Sequence, residues 1–190
     1  MKNQTKTPKD TAIAQASAAT QTLWAGEEES LVMGATQVPI VYSAAYGYAD
    51  VDDWLDVALG RKPGHIYSRN TNPTVHAFEE KVRILEGAEA ATSFSTGMAA
   101  ISNTLFTLLA PGDHVVSVKD TYGGTNKIFT EFLPRLNVDA TLCDTTDHEQ
   151  IETAIAKGCK VLYLETPTNP TLKVIDIARL HVPFQDRRPG

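Results

Sequence analysis

Three short segments of this chain combine residue types that suit an anionic, aromatic ligand. Ser95-Thr96-Gly97-Met98 can direct backbone N–H groups at a phosphate, because glycine permits close approach and the start of a helix favours an anion. Tyr122 precedes Gly123 and Gly124, which leave space for its ring to lie flat against another ring. The run Glu165-Thr166-Pro167-Thr168-Asn169-Pro170 predicts a stiff loop that holds a polar side chain in place.

A fourth segment, Tyr67-Ser68-Arg69, lies upstream of these three. An arginine–phosphate contact forms charge-assisted hydrogen bonds of about 1.5–3 kcal/mol, so Arg69 is a candidate anion-binding residue. Asn72-Pro73 then predicts the start of a helix, since asparagine caps free amides and proline fits the first helical position. Apolar residues recur at helical spacing as far as Leu85, and Gly87 ends the helix.

Apolar runs and helical segments alternate after Gly87. The predicted strands are 91–94, 115–118, 138–143 and 161–164, and the predicted helices are 98–109, 126–136 and 148–156. This alternation predicts an α/β fold with a mostly parallel sheet and helices on both faces. Ligands of such sheets bind beyond the carboxyl ends of the strands, where all three segments after Gly87 lie. The sequence therefore predicts a single site at that edge.

Each segment taken alone leaves an alternative open. The Thr96 turn could be an ordinary junction between a strand and a helix, and Tyr122 a loop tyrosine packed on its own domain. Glu165 and Asn169 could be polar loop residues, and Arg69 an unpaired surface arginine.

Taken together, the four segments resemble the Cys/Met-metabolism family of pyridoxal 5′-phosphate (PLP) enzymes, over about 22–180. The family includes cystathionine γ-synthase, cystathionine lyases, methionine γ-lyase and O-acylhomoserine sulfhydrylases. The resemblance implies an incomplete large domain of the fold-type I, aspartate aminotransferase-like transferases. It also implies an enzyme of sulfur amino-acid metabolism that performs elimination or replacement at the β or γ carbon of homoserine-derived or sulfur amino acids, with cystathionine γ-synthase or O-acylhomoserine sulfhydrylase activity preferred.

The resemblance assigns phosphate contacts to two groups of residues. Thr96 would contribute its hydroxyl, where the family more often has serine, and Gly97 and Met98 their backbone amides. Tyr67 and Arg69 would reach the phosphate bound by a neighbouring subunit. A homodimer or homotetramer is therefore expected.

The resemblance also assigns residues to the cofactor ring. Tyr122 would stack on PLP and assist proton transfer, which makes it the candidate catalytic residue. Asn169 would hydrogen-bond the phenolic oxygen of PLP, and Glu165 would be a nearby network residue.

The lysine that forms the Schiff base with PLP, and the acidic residue that protonates its ring nitrogen, are not identifiable. Lys119 and Lys173 are nearest to the expected site, but neither matches the position of the family's lysine. Pro183 is expected to end the helix that begins at Ile177, and 181–190 has no packing period. We therefore expect a frameshift or early stop near 181, and no activity of this chain alone.

Four regions follow from this interpretation: a disordered arm at 1–20, an extension at 21–70 that contacts a partner subunit, a partial PLP-binding α/β domain at 71–180, and an aberrant tail at 181–190. Two rival hypotheses remain. The chain could be a non-catalytic fragment that binds PLP or phosphate weakly or pairs with an intact homologue. It could also be a dinucleotide- or phosphate-sugar-binding α/β domain, although it lacks a nucleotide fingerprint.

Composition narrows the classes of partner. The net charge of −6, without a block of like charges, argues against nucleic acid and anionic membranes. No window approaches the ~20 apolar residues of a membrane span. The five histidines show no metal-ligand spacing, so no metal is expected. Cys143 and Cys159 lie far apart and no signal peptide is apparent, which favours the cytoplasm.

Overall fold

The computed structural model describes residues 13, 15–25 and 35–185, and the side chains of 182, 183 and 185 lie outside this description. The chain divides into two compact units, Met1–Ser93 and Phe94–Gly190. The division falls later than the predicted boundary at 70/71. The described helices are all too short or too polar to cross a bilayer.

The first unit contains helices α1 (Ala18–Trp24), α2 (Val51–Ala58) and α3 (Pro73–Leu85). The Ser17 side chain accepts a hydrogen bond from the backbone of Thr20 and so caps α1. Helix α1 begins inside the segment 1–20 for which disorder was predicted. Residues 1–12 and 14 of that segment lie outside the described residues.

Helix α3 confirms the capping prediction. The Asn72 side chain accepts from the amides of Thr74 and Val75 at 2.8 and 3.4 Å, and Pro73 occupies the first helical position. The helix ends at Leu85, and Gly87 follows with a left-handed φ of 62°. Helix α3 lies in the first unit, whereas the sequence assigned it to the α/β domain.

The second unit is a parallel α/β structure. Its main elements are α4 (Gly97–Leu108), β1 (His114–Val118), α5 (Gly123–Lys127), β2 (Asp139–Cys143), α6 (His148–Ala156), β3 (Val161–Leu162) and α7 (Ile177–Gln185). The strands form a sheet of order β2-β1-β3, with both pairs parallel. His114 lies opposite Asp139 on one side of β1, and Val115 opposite Val161 on the other.

Successive residues of β1 face two different apolar clusters. Val116 and Val118 pack with a cluster from α6, α7 and neighbouring segments, which includes Ile151, Ile155 and Leu180. Val115 packs with a second cluster that includes Leu105 of α4, Ile128, Phe129 and Leu133. Because side chains alternate along a strand, these clusters lie on opposite faces of the sheet. The predicted mostly parallel sheet with helices on both faces is therefore confirmed.

Two strand predictions, 91–94 and 161–164, differ from the structure. Residues 91–94 form no strand, since no neighbouring strand pairs with them in the described part of the chain. Strand β3 covers Val161–Leu162 rather than 161–164, and it pairs with β1. The amide of Tyr163 still donates to the Val116 carbonyl at 2.9 Å, so the chain continues along β1 beyond β3.

The helix predicted over 126–136 begins earlier and is irregular. Helix α5 starts at Gly123, passes into a π-helical turn at Ile128–Phe132 and then a 3₁₀ turn at Pro134–Leu136. The Leu133 amide donates to the Ile128 carbonyl, which is the wider hydrogen bond of a π turn. Pro134 has no amide hydrogen, so the regular helical ladder cannot continue through it.

The predicted break at Pro183 is wrong, since α7 extends from Ile177 to Gln185. Leu180 is fully buried, and Phe184 packs against the same cluster. These residues are four apart and so share one face of the helix. Apolar packing, at roughly 1.5–3 kcal/mol per large buried side chain, offsets the amide hydrogen bond lost at the proline.

Candidate functional site

The start of α4 is an open anion-binding turn. Thr96 caps the helix, and its Oγ1 accepts a hydrogen bond from the Ala99 amide at 3.0 Å. The amides of Gly97 and Met98 find no acceptor among the described residues, and the Thr96 hydroxyl hydrogen is still available to donate. A Cβ added at Gly97 would meet no atom within 4 Å. Three donors therefore converge on open space, which fits a phosphate group.

Gly124 lies where the Tyr122 ring and the Met98 side chain meet. A Cβ added at Gly124 would come within 2.9 Å of both Tyr122 Cε1 and Met98 Sδ. A Cβ at Gly123 would meet nothing within 4 Å. The Tyr122 side chain is 54% exposed. The absence of a side chain at Gly124 thus allows an exposed aromatic ring to lie beside the anion-binding turn.

Glu165 connects the carboxyl ends of β1 and β3. The Tyr122 amide donates to Glu165 Oε2 at 2.8 Å, and the Tyr163 hydroxyl donates to Glu165 Oε1 at 2.9 Å. The carboxylate therefore holds the backbone from which the Tyr122 ring projects. The sequence predicted Glu165 as a network residue, but it gave no role to Tyr163.

Tyr163 is half-buried, and its ring meets the Phe129 ring edge-on at a centroid distance of 5.4 Å. Burial, followed by the hydrogen bond to Glu165 and that group's charge, raises the pKa of Tyr163 to about 12. The hydroxyl is therefore a hydrogen-bond donor at neutral pH. The two-residue spacing from Glu165 was a usable signal, since residues i and i+2 of extended chain share a face.

Asn169 lies on the loop after β3 with its side chain exposed, and no hydrogen-bond partner for its amide is found within the described ranges. The buried Thr168 fixes this loop, because its backbone amide donates to the Lys173 carbonyl and its Oγ1 accepts from the Lys173 amide, both at 3.0 Å. The loop leaves the Asn169 side chain available to a ligand. No described hydrogen bond joins Asn169 to Tyr122.

Asp120 joins the same loop to the ends of β1 and β2. Its Oδ2 accepts from Lys173 Nζ at 2.7 Å and from the Thr145 hydroxyl at 2.6 Å. The hydrogen bond from Lys173, followed by that from Thr145, lowers the pKa of Asp120. The hydrogen bonds to Asp120 and those to Glu165 thus form two separate links between segments at the carboxyl edge of the sheet.

The two lysines nearest the site are both engaged with carboxylates. Lys173 Nζ pairs with Asp120, and Lys119 Nζ lies 2.9 Å from Asp144 Oδ1. The hydrogen bond to Asp144 and its charge raise the pKa of Lys119. Since only an unprotonated amine is nucleophilic, this environment disfavours Lys119 as a replacement for a Schiff-base lysine.

Tyr67 and Arg69 belong to the first unit and form a separate exposed pair. The Arg69 guanidinium carbon lies 4.9 Å from the centroid of the Tyr67 ring, and Arg69 forms no ion pair with any described residue. The backbone between them is anchored, because Ser68 Oγ donates to the Ser43 carbonyl and accepts from Asn72 Nδ2. The segment therefore holds both side chains on the surface of its unit.

Known proteins match almost the whole chain. A family model of Cys/Met metabolism PLP-dependent enzymes matches residues 19–185. Cystathionine γ-lyase of Bacillus subtilis is 41% identical over 80% of this chain and 37% of its own length. A probable cystathionine γ-synthase of Herpetosiphon aurantiacus is 36% identical over 85% of this chain and 48% of its own.

A solved structure shares the fold. The crystal structure of metB from Corynebacterium glutamicum superposes with a TM-score of 0.82 and 32% identity, covering 92% of this chain and 43% of that one. The chain thus spans less than half the length of the relatives it matches. The match over residues 19–185 includes all four segments that carried the resemblance, and the chain belongs to the Cys/Met metabolism PLP-dependent enzyme family.

Proposed function

We propose that this chain supplies the phosphate- and ring-contacting part of a PLP site in an enzyme of sulfur amino-acid metabolism. The observation that carries the proposal is the convergence of the Thr96 turn, the Tyr122 ring and the Glu165 carboxylate at one edge of the sheet. The enzyme would act by elimination or replacement at the β or γ carbon of an amino acid.

Each residue has a distinct role in this proposal. The Thr96 hydroxyl and the amides of Gly97 and Met98 would bind the phosphate, and the Tyr122 ring would stack on the pyridine ring. The Asn169 amide would donate to the phenolic oxygen and so help to orient the cofactor. When bound, PLP supplies an electron sink for carbanion chemistry. The Tyr122 hydroxyl moves a proton near the substrate's reacting carbon.

The preferred reaction is that of a cystathionine γ-synthase or an O-acylhomoserine sulfhydrylase. Similarity to a probable cystathionine γ-synthase supports this preference. The 41% identity to a cystathionine γ-lyase supports γ-elimination as a second candidate. In either case we propose that the chain alone is inactive, because the nearest lysines, Lys119 and Lys173, are ion-paired. Weak binding of PLP or phosphate would remain.

We also propose that the protein forms an oligomer. In it, Tyr67 and Arg69 of one subunit would contact the phosphate bound by a neighbouring subunit. Their exposure on an anchored segment fits such a contact. We also propose a cytoplasmic location. Cys143 and Cys159 are free thiols whose pKa values burial raises, which suits a reducing compartment.

Replacing Gly124 by alanine tests the ring contact. The probe is 4′-deoxypyridoxine 5′-phosphate, a PLP analogue without the aldehyde, which cannot react with surface lysines. The added Cβ displaces the Tyr122 ring or Met98, and loss of stacking worth about 0.5–1.5 kcal/mol weakens binding roughly twofold to tenfold. Calorimetric titration of the whole chain measures the change.

Gly123→Ala is the matched control. Both glycines lie in α5, so alanine contributes a similar gain in helix propensity, up to about 1 kcal/mol, at either position. The Cβ at Gly123 meets no atom, and affinity for the analogue should therefore be unchanged. Equal affinities of the two variants would contradict the proposed ring contact.

A further inference from the structure

Tyr163 connects, through Glu165, two of the segments that position the proposed cofactor-contacting residues. Its hydroxyl donates to Glu165 Oε1 at 2.9 Å, and the other oxygen of that carboxylate accepts the Tyr122 amide at 2.8 Å. Tyr163 thus bonds to the same carboxylate that holds the Tyr122 backbone.

The surroundings of the phenol restrict its movement. The Tyr163 ring packs edge-on against Phe129, which is 2% exposed. Within the described part of the chain, the Glu165 side chain is anchored through its two oxygens, one to each tyrosine. Removing the phenolic hydroxyl would leave the carboxylate with one of these two bonds and free it to rotate. The direction of the Tyr122 amide would then be less strictly fixed.

We propose that Tyr163 is a positioning residue for Tyr122, acting through Glu165 to set the angle at which the Tyr122 ring meets the cofactor. This inference deepens the proposed function, on which the purpose of the Tyr122 ring rests. The hydrogen bonds from Tyr163 and Tyr122 to Glu165 form without any cofactor. The positioning role of Tyr163 can therefore be tested separately from PLP binding.

Selective labelling makes the test direct. The chain has six tyrosines, so a chain labelled with ¹⁵N-tyrosine gives six backbone amide signals, and Tyr122→Phe identifies the Tyr122 signal by its loss. A hydrogen bond to a carboxylate shifts an amide proton downfield and slows its exchange with solvent. Tyr163→Phe keeps the ring packed on Phe129 and removes the hydroxyl. In this variant the Tyr122 amide proton should move upfield and exchange roughly threefold to tenfold faster.

Two further variants define the outcomes. Glu165→Gln should produce a shift in the same direction, while the Tyr46 amide in the first unit reports any general loss of structure. An unchanged Tyr122 amide in Tyr163→Phe, with a changed one in Glu165→Gln, would overturn the proposal because Glu165 would then act alone. An unchanged amide in both variants would overturn it as well, since the bridge would be absent in solution.

Affinity for 4′-deoxypyridoxine 5′-phosphate separates this inference from the proposed function. If both hold, Tyr163→Phe binds the analogue about twofold to tenfold less tightly than the unmodified chain. If the unmodified chain binds the analogue but the Tyr122 amide signal is unchanged in Tyr163→Phe, only the positioning role of Tyr163 is contradicted. If the Tyr122 amide responds but the unmodified chain binds no analogue, the proposed function fails and Tyr163 positions Tyr122 for no cofactor.

Discussion

An intact relative that lacks the residues corresponding to Tyr67 and Arg69 should regain activity when it is co-expressed with this chain. The relative alone should lose about tenfold to a hundredfold in PLP affinity, because a charge-assisted hydrogen bond to the phosphate contributes about 1.5–3 kcal/mol. In a mixed dimer, this chain would supply the missing tyrosine and arginine to the relative's site. Activity per mutated protomer should then approach that of the unmodified relative.

The controls for this rescue are variants of the chain itself. Arg69→Ala and Tyr67→Phe should pair equally well with the relative but restore less activity, because their exposed side chains are not needed to anchor the segment. Native mass spectrometry measures pairing, and product release measures activity. Mixed dimers without rescue would contradict the cross-subunit contact, and the absence of mixed dimers at any ratio would contradict the pairing.

Replacing Thr96 by valine should weaken binding of 4′-deoxypyridoxine 5′-phosphate by about tenfold to a hundredfold. Valine keeps the shape of threonine but removes the hydroxyl that donates to the phosphate, a bond worth about 1.5–3 kcal/mol. The same hydroxyl oxygen caps α4 by accepting from Ala99, so the variant should also be less stable by about 1 kcal/mol. Calorimetric titration and thermal unfolding measure the two effects.

Thr96→Ser separates ligand binding from helix capping. Serine keeps the hydroxyl, so both affinity and capping should stay close to those of the original chain. Binding by the valine variant must be measured well below its melting temperature, where it is folded. If the folded valine variant binds the analogue as tightly as the serine variant does, the Thr96 hydroxyl does not contact the phosphate.

The sequence correctly predicted helices whose first residues are fixed by a neighbouring capping side chain. Asn72 and Pro73 define the start of α3, and the helix predicted over 148–156 agrees with α6, which Asp147 caps. Elements that depend on partners were less well predicted. The segment 91–94 reads as a strand but has no neighbour to pair with in the described chain. Helix α7 passes Pro183 because Leu180 and Phe184 pack on the core.

In the candidate site, too, features formed by consecutive residues were predicted, whereas contacts between distant residues were not. The Thr96 turn and the Tyr122-Gly123-Gly124 segment were recognisable because their chemistry lies in consecutive residues. The sequence treated the two glycines alike, whereas the structure distinguishes Gly124, which lies against Met98, from the open Gly123. The bond from the Tyr122 amide to Glu165 joins residues 43 positions apart. No local pattern indicates such a contact, and the role of Tyr163 follows from it.

The proposed phosphate- and ring-contacting part of a PLP site should bind a phosphorylated pyridine ring. Calorimetric titration of the whole, unmodified chain with 4′-deoxypyridoxine 5′-phosphate and, separately, with 4′-deoxypyridoxine, which lacks the phosphate, measures this binding. We expect saturable binding of one phosphorylated analogue per chain, at least about tenfold tighter than binding of the unphosphorylated compound, because charge-assisted bonds at the Thr96 turn contribute about 1.5–3 kcal/mol. Equal affinity for both compounds, or no binding of either, would contradict it.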